Sequence, residues 1–144
     1  MAQGVSAEIE FLYGDKDIAR AIAIDAIESG QNPQIYSGIL ATSARTREEF
    51  EYAVIQNRKA LEMIDQEDEI TAMVRNNLAY SAFCLGDASL LEEADKQSQR
   101  AMDTLPMSLA VRSTRGSILI ASGQYEAGLE LVEDERFALS LIHI

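Results

Sequence analysis

The residues able to do chemistry are few, and their spacing limits what they can do. Glu8 with Glu10 and Asp15 with Asp17 are paired carboxylates, which perform acid–base work when unlike surroundings separate their pKa values. Both pairs fall on short polar stretches with no burial to separate them, and helix capping accounts for them better. Residues 65–69 are rich in Asp and Glu but lack the alternation and central glycine of a calcium loop, so the run reads as a solvated connector. Cys84 is the one cysteine and His143 the one histidine, which rules out a Cys/His metal set and a Ser-His-Asp triad. Gly116-Ser117 lacks the flanking pattern of a nucleophile elbow, and no phosphate-binding glycine loop is present. The expectation is a protein that is not an enzyme and uses no metal or cofactor. Two further sets remain. Arg112 and Arg115, three residues apart, suit either a bound carboxylate or neighbouring acids. Asn76, Tyr80 and Phe83, at steps of four and three, share one helix face, and Ser113, Ser117 and Ile120 repeat that spacing.

These residues need a scaffold, and the totals describe one. The chain has 144 residues, 47% of them apolar, with two prolines and no tryptophan, which suits one folded helical domain. Twelve basic against 24 acidic residues give a formal charge of −12. That balance argues against nucleic acid, whose phosphates require a Lys/Arg stripe. It permits a basic protein or peptide partner, although excess Asp and Glu also serve as a solvated surface. Cys84, among Ala82, Phe83 and Leu85, reads as a small core residue. Glu8 and Glu10 interrupt any signal-like N-terminus and no apolar run reaches the ~18 residues that span a bilayer, so the expected location is cytoplasmic.

Periodicity predicts eight helices and no strand. The first covers about residues 6–13, with Ile9, Leu12 and Tyr13 on one side. Asp15 or Asp17 starts the second, whose stripe holds Ile18, Ile22 and Ala26, and Gly30 and Pro33 close it. The third covers about residues 34–44 with Ile35, Ile39 and Leu40. Thr46 with Glu49 forms a capping box for the fourth, the most regular, through Ala53, Asn57 and Ala60. A fifth over about 68–85 carries Ile70, Met73, Asn77 and Leu78 inward and stops at Gly86-Asp87. Ser89 with Glu92 gives a second capping box for the sixth, which ends before Pro106. Ser108 caps the seventh, Gly123 marks the next turn, and the eighth presents Tyr125, Gly128, Leu129 and Val132.

Small residues recur at a fixed interval. Ala7 to Ala41, Ala19 to Ala53, Ala26 to Ala60 and Ala94 to Gly128 are each 34 positions apart, and Ala79 to Gly116 is 37, which fits a short insertion near residues 88–91. Ala or Gly at such places lets helix backbones approach closely. With Leu78-Ala79, Gly86-Asp87, Ala94, Ala101 and Pro106, and again Gly116, Gly123-Gln124-Tyr125 and Gly128, the pattern resembles the tetratricopeptide repeat (TPR) family. The resemblance covers four units, about residues 1–33, 34–67, 72–106 and 109–138. The second lacks the turn glycine and the fourth has Glu135 where a small residue is usual. It implies an all-α solenoid of about four helix-turn-helix repeats. It further implies a non-catalytic protein–protein interaction module whose concave groove binds a peptide or partner helix. Carried onto this sequence, it points to outward residues of the third, fifth and seventh helices, with Asn76, Tyr80, Phe83, Ser113 and Ser117 as groove residues; Arg112 and Arg115 are carboxylate contacts by spacing alone, since the basic and Asn pattern with which some family members clamp a C-terminal carboxylate is not reproduced.

The last six residues, Leu-Ser-Leu-Ile-His-Ile at 139–144, resemble the translation of a transposon-end sequencing adapter. That implies a metagenomic gene fragment, a repeat domain over 1–138, a natural protein longer than this chain, and no mechanistic weight for His143. Two alternatives follow: the regulatory portion of a larger enzyme, including a membrane-bound one, and self-association through an uncapped end of the stack.

Overall fold

The computed structural model describes the backbone of residues 2–142 and the side chains of residues 3–133. Among the described residues there are eight α-helices and no strand: α1 (Ala2–Tyr13), α2 (Lys16–Glu28), α3 (Ser37–Ser43), α4 (Arg47–Glu62), α5 (Glu69–Leu85), α6 (Ala88–Thr104), α7 (Leu109–Ala121) and α8 (Tyr125–Ile142). The fold is all-α. Each helix packs on the next in sequence, and the odd-numbered helices also touch in series, α1 with α3, α3 with α5 and α5 with α7. That second set of contacts places four helices side by side. The side chains of the tail at 139–144, with all of His143 and Ile144, lie outside the described residues.

Local chemistry explains most boundaries. The Asp15 carboxylate accepts the Asp17 N–H at 2.7 Å and starts α2. Ser108 accepts the Val111 N–H at 3.4 Å at the start of α7, as its position predicts. Gly86, at φ +71°, ends α5 in the left-handed conformation that glycine adopts without strain. At α4, Thr46 accepts the Glu49 N–H at 3.3 Å, while the Glu49 carboxylate takes the Arg45 N–H at 3.0 Å. The capping box thus closes one residue earlier than expected.

Four expectations need correction. The Ser89–Glu92 box does not form, because α6 already begins at Ala88; its N-cap is Asp87, whose carboxylate is drawn away by Arg47 at 2.6 Å. Residues 34–44 are not one helix. Asn32 accepts the Gln34 N–H and Pro33 opens a 3₁₀ turn, Pro33–Tyr36, which precedes α3 and leaves Ile35 62% exposed. Cys84 is exposed, since the buried face of α5 runs through Leu78, Ala79 and Ala82. Ile70, expected inward, and Ile9, Ile18 and Tyr125, placed on apolar faces, are exposed, while the small residues Ala7, Ala19, Ala72 and Gly128 near them are buried. Ala7, Ala19, Ala26, Ala41, Ala53 and Ala60 are buried, in keeping with close backbone approach.

The connector at 65–69 is more than a solvated link. Arg75 and Arg100 both bind the Glu67 carboxylate, Arg75 also donates to Gln97 at 2.7 Å, and Asp68 caps α5 through the Thr71 N–H at 2.8 Å. The Arg75 hydrogen bond holds Glu67 below its ordinary value of 4.5, and the Thr71 N–H holds Asp68 below 3.8. Both folded-state pKa values are depressed. Their contribution is therefore present above the unfolded values and is lost as pH falls through the folded ones. Both groups are solvent-exposed, so the effect is small per group. The melting temperature is expected to decline as pH falls below about 5, and Glu67→Gln to flatten that decline. A Glu67→Gln melting curve parallel to the wild type across this range would contradict the assignment.

Candidate functional site

The helices α1, α3, α5 and α7, with the 3₁₀ turn, enclose an open cavity of about 1150 Å³. Asn76, Tyr80 and Phe83 from α5 and Ser113 and Ser117 from α7 all line it, so the two faces picked out by spacing meet on one wall. The resemblance implies the third helix for the opposite wall, but not α1 or the residues that form it. That wall comes from α1, the 3₁₀ turn and α3, through Gly4, Val5, Glu8, Ile35, Gly38 and Thr42. The 34-position interval does hold a signal for it: Gly4 to Gly38 and Glu8 to Thr42 are each 34 apart and carry the register onto this side.

Two neighbouring amides on the α5 wall differ in their partners. Asn77 Nδ2 donates to Ser37 Oγ at 2.9 Å, Ser37 donates to Asn57 Oδ1, and Asn57 Nδ2 donates to the Ala53 carbonyl at 2.8 Å. All three side chains are buried, so this chain of bonds ties α5 to α3 and α4 beneath the cavity. Asn76 is equally buried, at 5% exposure, but its Oδ1 has no hydrogen-bond partner among the described residues. A buried acceptor without a partner costs about 1–3 kcal/mol, and sites that keep one call for a reason.

The aromatic pair is shared between cavity and core. Tyr80 is 37% exposed and meets Phe50 of α4 edge-on, with ring centroids 6.4 Å apart. Desolvation raises the Tyr80 phenol above its ordinary 10.0, with a smaller contribution from Cys84, so the hydroxyl is a neutral donor at physiological pH. Phe83 is half-buried against the cluster around Val54, Leu78 and Ala82. Tyr36, a fully buried member of the lining, donates to Gln31, whose amide continues to Gln3 at 2.7 Å and from there to Asp25 at 3.0 Å.

The two arginines are not among the described residues lining the cavity. Arg115 is held by Asp95 Oδ1 at 2.6 Å, the Asp95 carbonyl at 3.0 Å and Ser98 Oγ at 3.0 Å. Its guanidinium is thereby occupied between α6 and α7. Arg112 donates to the Pro106 carbonyl at 3.2 Å. Among the described lining residues Glu8 is the one charged side chain, so most of the acidity lies outside the cavity. No group of three or more metal-ligating side chains occurs among the described residues, and none of their helices is long and apolar enough to cross a membrane.

No protein-family model, curated protein or solved structure matches the chain. Function is therefore read from the cavity itself. Its walls offer apolar surface, aromatic edges, hydroxyls and one acceptor without a protein partner, an assortment suited to recognition.

Proposed function

We propose that the chain is an α-solenoid of four TPR-type hairpins acting as a non-catalytic protein-interaction module, with a peptide or partner helix bound in the groove formed by α1, α3, α5 and α7. The observation that carries this reading is Asn76, a 95%-buried amide on the groove wall whose Oδ1 lacks a partner among the described residues. The oxygen has almost no accessible surface of its own, so the carboxamide must turn toward the groove, where a backbone N–H of an extended segment satisfies it whatever the segment's side chains are. Tyr80 and Phe83 supply apolar and aromatic contact beside it, and Ser113 and Ser117 extend hydrogen bonding along α7. The acidic surface outside the groove favours approach by a basic partner and repels an acidic one.

Tyr80→Ala is the cleaner test of the aromatic pair, because Phe83 also belongs to the core. With peptides selected from a random display library, Tyr80→Ala is expected to weaken binding about tenfold, equivalent to roughly 1.4 kcal/mol. Unchanged affinity in a folded variant would count against the groove.

A further inference from the structure

Gly4 and Gly38 face the groove, and neither is required by packing. A Cβ on Gly38 would meet only Asn77 Nδ2, at 3.9 Å, and one on Gly4 would meet Ile35 Cγ2 and Tyr36 Oη, each at 3.6 Å. Those are ordinary contacts, so alanine fits both places, and alanine is the better helix former. Neither glycine has the positive φ that would demand it. What the missing side chains provide is depth. Val5, Ile35 and Ile39 line the same cavity and give it apolar surface, Tyr36 Oη and Asn77 Nδ2 are the polar atoms nearest the glycines, and Asn76 lines the α5 wall. Glu8 lies one turn from Gly4 along α1 and is the charged member of the lining.

Resting on the groove reading, the geometry points to a specificity pocket. The partner segment sets a large apolar side chain of Leu, Met or Phe size into the hollow over Gly4 and Gly38. A flanking Lys or Arg of that segment meets Glu8, and a backbone N–H next to the anchor bonds Asn76 Oδ1 as the amide turns toward the groove. Shape selects the anchor residue. Charge selects its neighbour, because the single lining charge is negative and the whole chain carries −12. An acidic segment finds no cation among the described lining residues.

The test selects random twelve-residue peptides on the wild-type protein and measures the enriched sequences against Gly38→Ala, Gly38→Leu and Tyr80→Ala, with melting curves as folding controls. Enriched peptides should share one large apolar residue with a basic residue close by. Gly38→Leu should weaken them about tenfold or more, and Gly38→Ala, which fits the packing, should shift the preference toward a smaller anchor. Shortening the peptide's anchor to Ala should abolish most of the difference between wild type and Gly38→Leu. If Tyr80→Ala weakens binding while both Gly38 variants bind as wild type, the pocket is overturned and the groove stands. If no peptide is enriched, or Tyr80→Ala is also silent, the groove reading falls and the pocket with it.

Discussion

Gly128→Ala is expected to lower the melting temperature by roughly 5 °C, a loss of about 2 kcal/mol. A Cβ at this position would stand 2.7 Å from the Gly116 carbonyl oxygen, 2.6 Å from Ile120 Cγ1 and 3.1 Å from the Ile120 nitrogen. The isoleucine side chain can turn away, but the carbonyl and the amide nitrogen are backbone of α7 and cannot. The helices α7 and α8 must separate instead. Two effects oppose each other: alanine gains about 1 kcal/mol of helix propensity, and overpacking a well-filled contact costs about 1–3 kcal/mol, at the upper end where backbone blocks relief. The overpacking wins. Gly116→Ala should behave in the same direction, since its Cβ would meet Val132 Cγ2 at 2.9 Å and the Gly128 carbonyl at 3.0 Å. The same change at Gly38, which has room, should instead leave stability equal or raised. Thermal unfolding of the three variants separates the cases, and a stabilised Gly128→Ala would mean that α7 and α8 do not cross at these glycines.

Asn76→Leu is expected to raise stability by about 1 kcal/mol while weakening peptide binding about tenfold. The two signs have one origin. Replacing a buried acceptor that lacks a protein partner with an apolar group of similar size removes a desolvation cost from the free protein. It also removes the acceptor that a bound backbone N–H would use. A residue that served the fold alone would lose stability when replaced. Asn77→Leu supplies that contrast, because it removes the N–H that Ser37 Oγ accepts at the head of a buried chain and should destabilise. Opposite effects on stability and binding mark a residue kept for function.

Much of this was legible in the residues and some was not. The helix starts at Asp15, Thr46 and Ser108 and the stop at Gly86 follow from hydroxyl, carboxylate and glycine chemistry that acts within a few residues. The α5 and α7 wall was visible because Asn76, Tyr80, Phe83, Ser113 and Ser117 are recognisable recognition residues at helical spacing. The third helix follows from the repeat pattern, but the residues of the α1 and α3 wall do not, because Gly4, Gly38 and Thr42 act there by being small, and a small residue in a helix reads equally as packing. Long-range partners were beyond local pattern. Arg47 takes the Asp87 carboxylate from forty residues away, Arg75 and Arg100 clamp Glu67, and Asp95 claims Arg115. Each choice depends on which helices become neighbours. Cys84 and Ile35 were misplaced for a related reason: a one-residue change of phase, at a 3₁₀ turn or along a helix with alanines on its buried side, moves a side chain from core to surface.

The central claim is that the groove holds a polypeptide segment through Asn76. Calorimetric titration of one display-selected peptide into the wild type and into Asn76→Leu, with melting curves of both, tests it most directly. Weaker binding in a variant that melts at an equal or higher temperature is the predicted result; unchanged affinity in that folded variant, or loss of stability together with binding, would contradict it.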